Sequence, residues 1–189
     1  MFKPGENFVN KANEIVAWLS SSNGYSRLED SYEPDHFRLA IFRSGGELPN
    51  LQSMATILEV NFECKPQRFR KDGQTPISIT NKDTYILITN PTNQIALPEI
   101  TIEGVGLKVD FLSGENTITP KTNTSLEISF LEEGIFDSEL EECYSQTVYL
   151  NDKITLIGGV PKLYPGKNWI RVTGGTLTKL SIKPRWWTL

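Results

Sequence analysis

"EITIEGVGLKVDFL" (99–112) decides the fold. In 99–104, Ile100 and Ile102 alternate with Glu99, Thr101 and Glu103, and in 106–112, Leu107, Val109 and Phe111 alternate with Lys108 and Asp110. Side chains of an extended chain point to opposite faces with period two, so each segment reads as a strand with one buried face. The same alternation recurs in "TYILIT" (84–89), "SLEISFL" (125–131), "QTVYLN" (146–151), "KITLIG" (153–158), "NWIRVT" (168–173) and "TLTKLSI" (176–182). Turn signals such as "TNPTN", "LSGEN", "LND" and "YPGKN" separate most of them, which is the pattern of an antiparallel β-sandwich.

Upstream the period changes. Phe8, Ala12, Ile15, Val16 and Leu19 fall on one stripe of a helix expected from about Glu6 to Ser20, with Trp18 at its flank. Asn7 is placed to cap its start, and Asn23 or Gly24 to end it with a left-handed residue. "FRLAIFR" (37–43) and "MATILEVNFEC" (54–64) then read as two strands paired across a long hairpin or arm, 43–53. In "CKPQRFRKDGQTP" (64–76) four basic residues, two prolines and a glycine break the apolar periodicity, the best linker candidate in the chain. The expected organisation is an α+β part over 1–67 with one helix and an all-β sandwich over 68–189, mainly β throughout. No 20–50-residue period repeats, which excludes a solenoid or propeller.

With 189 residues, 38% of them hydrophobic, the chain can bury a core without a metal or disulfide. Cys64 and Cys143 lie far apart in no metal-like spacing; Cys64 reads as a small buried apolar residue, and a disulfide between the two stays open. A net charge of -4 argues against affinity for phosphate backbones. No run of 18 apolar residues and no signal-peptide pattern is present, so the chain reads as synthesised in the cytoplasm, with assembly into a particle as a route elsewhere.

The sequence shows no catalytic constellation and implies no cofactor or metal. The single histidine, His36, has no partner pattern, and "YPGKN" lacks the rest of a phosphate-binding loop. The acidic run "LEEGIFDSELEEC" (131–143) reads as a solvated face on a short amphipathic helix or ordered loop, and hydrolysis by its carboxylates would rest on that run alone. The C-terminal aromatics are the remaining candidates. Tyr164, Trp169 and Trp187, with Arg171 and Lys167 as donors, have the chemistry to stack on and bind sugars, which makes a carbohydrate-binding sandwich an alternative function. Strand parity puts Leu180, Ile182, Pro184 and Trp186 inside and Trp187 outside. Leu177 is out of phase with Leu180, which requires a bulge or bend near Thr178.

Two groups of motifs carry a family resemblance. "NEIVAWLSSSNGYSRLEDSYEPDHFRLA" (13–40) with "LEVNFECKPQRF" (58–69) contributes Trp18, Leu19, Tyr25, Leu28, Pro34 and Pro66; "ITNPTNQIALPEITIEGVG" (88–106), "YPGKNWIRVTGG" (164–175) and the closing "IKPRWW" with Trp186 contribute the rest. Together they resemble the distal tail proteins of long-tailed, non-contractile bacteriophages and related prophages. The resemblance implies a structural virion protein at the tail tip and not an enzyme: an N-terminal domain forming a homo-hexameric ring, and a galectin-like C-terminal sandwich projecting from it. Implied partners are the chain itself, the major tail or tube protein, the tail-associated protein and receptor-binding or baseplate proteins, with no nucleic acid or membrane and a host saccharide as an open possibility. The chain departs from the family pattern at its start, reaching its helix within seven residues of Met1 where family members have further strands.

Overall fold

A computed structural model describes residues 8–22, 24–45, 60–146 and 148–189. Asn7, Asn23, the arm positions 46–53 and the strand start expected at 54–59 lie outside the described residues. The chain divides into two compact units, Met1–Arg68 together with Leu189, and Phe69–Thr188.

In the first unit, helix α1 (Phe8–Leu19) turns Ala12 fully inward and leaves Ile15, Val16 and Leu19 half-buried. Trp18, expected beside a core stripe, is 72% exposed. Of the two cap positions expected, Asn23 lies outside the described residues and Gly24 has no left-handed φ. Ser21 closes the helix instead, donating its backbone N–H (3.2 Å) and its hydroxyl (2.7 Å) to the Trp18 carbonyl. Strands β1 (Ser26–Leu28), β2 (His36–Gly45) and β3 (Val60–Arg70) form a sheet in that order, with Phe37 and Ala40 buried.

Residues 64–70 of the segment read as a linker are strand and a short 3₁₀ turn follows at Asp72–Gln74, while the division between the two units falls inside the segment, after Arg68. Its basic residues are charge-paired: Arg68 donates to Glu33 at 2.6 Å and Arg70 to Asp72 at 2.6 Å. Cys64, read as buried, is exposed on β3; Cys143 is buried, and both are free thiols.

The second unit is an antiparallel β-sandwich. Its strands are β4 (Ile77–Ser78), β5 (Tyr85–Asn90), β6 (Glu99–Ser113), β7 (Thr122–Asp137), β8 (Glu142–Ser145), β9 (Val148–Tyr149), β10 (Ile154–Ile157) and β11 (Gly166–Lys183), and the two-residue β12 (Trp187–Thr188) is not part of their sheet. Segments read as separate strands on either side of Val105 and Gly174 are continuous. β11, β6 and β7 are long antiparallel neighbours that each serve both layers. Their ends at Gly166–Arg171 and Ser125–Ile128 take β5 and β10 as outer strands, and their other ends take β4 and the β8–β9 pair.

The inward face of β6 switches from Ile100 and Ile102 to Leu107, Val109 and Phe111, so parity flips across Gly104–Gly106. A bulge does this by inserting an unpaired residue that bends the strand and sharpens its twist. The register of β6 on β7 slips at Ile102/Gly104, and that of β11 on β6 slips between Leu177 and Lys179, at the bulge or bend expected near Thr178. Backbones meet closely at this bend: a Cβ on Gly175 would stand 1.8 Å from the Val105 carbonyl oxygen, so only glycine fits there.

Residues of both layers share one hydrophobic cluster that includes Ile100, Val109, Leu126, Phe136, Ile170, Leu180 and Trp186. The acidic run 131–143 is neither helix nor loop over most of its length. Leu131–Asp137 completes β7, and Glu142–Ser145 is β8. Phe136 there pairs with Ile100 on one side and Cys143 on the other, and all three are wholly buried. The burial of alternate residues outweighs the glutamates, of which Glu132, Glu133, Glu139 and Glu141 stay exposed, while Asp137 is buried.

Candidate interaction surfaces

The chain end is fastened by a clasp in the second unit. Strand β11 stops at Lys183 because Arg185 takes a positive φ of 59°, which is uncommon for a side-chain-bearing residue and ends the ladder. The Arg185 N–H then donates to the Gly73 carbonyl at 2.7 Å, and Arg70 donates to the Trp186 carbonyl at 2.9 Å. Trp186 is 5% exposed and packs on Gly73, where a Cβ would lie 2.4 Å from the Trp186 nitrogen. The Arg185 guanidinium reaches Asp137 through both carboxylate oxygens and Glu99 at 2.8 Å, and Lys183 holds Glu99 at 3.0 Å. Burial pushes the Asp137 carboxyl up, but hydrogen bonds from Arg185 and from the Glu139 backbone outweigh it, so its pKa lies below the ordinary value.

Trp187 is half-buried, and its indole N–H donates to the Ile95 carbonyl at 2.9 Å, so the residue that parity puts outside is anchored. Tyr164 is half-buried at the turn into β11, where the Asn168 amide accepts from the Tyr164 N–H (2.9 Å) and donates to its carbonyl (2.8 Å). Trp169 and Arg171 follow on β11, two residues apart and on one face, opposite buried Asn168, Ile170 and Val172. The Trp169 indole donates to the Gly114 carbonyl at 3.1 Å, and Lys167 pairs with Glu115 at 2.8 Å. The structure therefore unites Trp169 with Arg171, and gives Tyr164 and Trp187 separate anchors.

Cross-strand register adds residues that the sequence reading missed. Tyr85 on β5, Arg171 on β11, Asp110 on β6 and Ser125 on β7 stand in one row. The Arg171 guanidinium lies 5.3 Å from the Tyr85 ring centroid, and the Ser125 hydroxyl donates to Asp110 at 2.7 Å. No local motif could mark this row, because its members lie on four strands spread over 87 residues, from Tyr85 to Arg171.

A second surface lies within the first unit. Trp18, Leu19, Leu28, Ala40, Phe42 and Phe62 line an apolar groove of about 350 Å³. Phe42 and Phe62 meet edge to face at 6.0 Å, and Trp18 stands exposed at the rim. Tyr25 is also exposed, its hydroxyl donating to Glu63 at 3.0 Å beside the Arg43–Glu63 pair at 2.6 Å. Pro34 and Pro66 are exposed. His36 is half-buried, with its backbone N–H donated to Glu33. The Cys143 thiol is pushed up to about 11 by burial and by Asp152. Among the described residues no cluster of three or more His, Cys, Asp and Glu could hold a metal ion, and no helix is long and apolar enough to cross a membrane.

No protein-family model matches the chain, and no curated protein matches it by sequence. Among solved structures it is similar to the crystal structure of the SPP1 Dit protein, described as a paradigm of the hub adsorption apparatus in phages infecting Gram-positive bacteria. The TM-score is 0.65 at 11% identity, over 100% of this chain and 76% of that one. At that identity the likeness is one of fold.

Proposed function

We propose that this chain is a structural component of a bacteriophage or prophage tail tip: a distal tail hub that joins the tail tube to the adhesion apparatus. It acts by self-assembly into a ring and by protein–protein contacts, without catalysis. The observation that carries this reading is the extent of the fold likeness. The whole chain, with its helix, small sheet and bent-strand sandwich, follows a phage hub protein, so the likeness is not that of a generic β-sandwich alone.

The first unit supplies the assembly surface in this reading. Its groove beside Trp18 and its exposed Tyr25 and Phe62 are large apolar groups whose burial against a partner would be favourable. A closed ring requires heterologous contacts that return to their starting point, and a hexamer is the closure proposed. The partners are other copies of the chain, the tail-tube protein, the tail-associated protein and receptor-binding or baseplate proteins. The second unit, closed by the Arg185–Trp186 clasp, is the outward-projecting sandwich.

Co-expression with a phage tail-tube protein and a tail-associated protein tests the reading. Co-purification in a fixed ratio supports a hub, and a chain that elutes without either protein contradicts it.

A further inference from the structure

We propose that the outward face of the β5–β11–β6–β7 layer binds a neutral saccharide, with Arg171 and Asp110 as paired donor and acceptor beside Trp169. The starting point is an ion pair that the register invites and the structure does not make. Arg171 and Asp110 are direct cross-strand partners on one face. Among the described residues, however, the direct polar contacts of Asp110 are Ser125 at 2.7 Å and Lys108 at 3.8 Å, both through Oδ1, and Arg171 feels Asp110 and Asp83 through space without a direct contact.

Arg171 turns the other way, over Tyr85, where its Nη1 lies 3.5 Å from the phenol oxygen, too long for a strong hydrogen bond. Its Nε is shielded from water and has no partner among the described residues. An unsatisfied buried donor is costly, so this guanidinium gains by turning toward an acceptor laid on the face.

The gap between the two groups suits a polyol. Neighbouring strands lie about 4.8 Å apart, so two adjacent hydroxyls can accept from Arg171 and donate to Asp110 at once. Beside this row, Trp169 is paired with Leu87, which is 45% exposed, and the Trp169–Gly114 hydrogen bond fixes the indole. An aromatic and an aliphatic group together offer a flat apolar strip for the C–H face of a sugar ring.

On the other side the row continues into a polar cleft of about 340 Å³ lined by Lys108, Glu127, Ser129 and Thr155. Lys108 and Glu127 are 3.7 Å apart there, a second donor–acceptor pair for a second sugar unit. Both rows mix charges of opposite sign, so a phosphate or carboxylate ligand would meet Asp110 and Glu127, and a cation would meet Arg171 and Lys108. A neutral glycan avoids both conflicts.

Hub assembly does not require this site, so its test is independent of the proposed function. The full chain is screened on an array of neutral hexose and N-acetylhexosamine oligosaccharides, and a retained glycan is titrated by calorimetry. Retention is expected, with affinity reduced at least tenfold by Arg171→Ala and by the isosteric Asp110→Asn, and unchanged by Lys179→Ala on the far half of β11. Unchanged far-ultraviolet circular dichroism of Asp110→Asn guards against misfolding. Failure to retain any neutral glycan, or retention that both variants leave intact, overturns the proposal.

Discussion

The Arg185 guanidinium meets the Asp137 carboxylate in a two-point contact, Nη1 to Oδ1 at 2.8 Å and Nη2 to Oδ2 at 2.6 Å, across 48 residues of sequence. Their side chains are 18% and 6% exposed, so the pair works largely away from water, and Glu99 completes it. Removing one partner leaves an uncompensated charge, which costs about 3–5 kcal/mol at buried sites. Arg185→Ala is expected to lower the unfolding free energy by an amount near the lower end of that range, read as a fall in the urea midpoint at constant m-value.

The same pair fixes a pH dependence. Asp137 is held below its ordinary value of 3.8, so it binds protons more weakly folded than unfolded. Its contribution is full above that value and is lost as pH falls through the lower folded pKa. Between neutral pH and about pH 2, the wild-type chain is expected to lose more stability than Asp137→Asn, measured by urea unfolding at each pH. Equal losses in the two proteins would show that the pair does not titrate as described.

Gly73 and Trp186 form the second half of the clasp. A methyl group on Gly73 would lie 2.4 Å from backbone nitrogen and 2.8 Å from the Trp186 Cβ, neither of which can swing away. Gly73→Ala is therefore expected to destabilise by about 1–3 kcal/mol through overpacking, and Trp186→Ala by about 3–5 kcal/mol through the cavity left behind. Thermal denaturation of the two variants checks both.

Trp18 offers the opposite case. At 72% exposed it contributes little to the fold of a single chain, so Trp18→Ser is expected to change monomer stability by no more than about 0.5 kcal/mol. If the groove beside it is an assembly surface, the same change weakens self-association at least tenfold in sedimentation velocity.

The strands of the sandwich were legible because alternation survives in single segments: Leu107, Val109 and Phe111 announce their face without help from the rest of the chain. The phase break between Leu177 and Leu180 likewise marks the slip at Thr178. Less was legible where burial is decided at a distance. Glutamates at 132 and 133 disguised the end of β7, whose placement comes from Phe136 between Ile100 and Cys143. Charge pairing hid the second half of β3, 65–70, in an apparent linker, since Glu33 and Asp72 neutralise Arg68 and Arg70 only after folding. Parity set Trp186 inside, yet the strand has already ended at Lys183, and the clasp on Gly73 holds the indole there. Trp187 shows the limit of parity: an outward position did not reveal that Ile95 takes its indole N–H. The Tyr85–Arg171–Asp110–Ser125 row depends on register across four strands, which no local pattern encodes.

Electron microscopy of the purified full chain, imaged alone and with the tail-tube protein, tests the central claim most directly. The hub reading expects closed rings with a central opening and a single rotational symmetry. Uniform monomers under both conditions, with a mass of 21.3 kDa in solution, would contradict it.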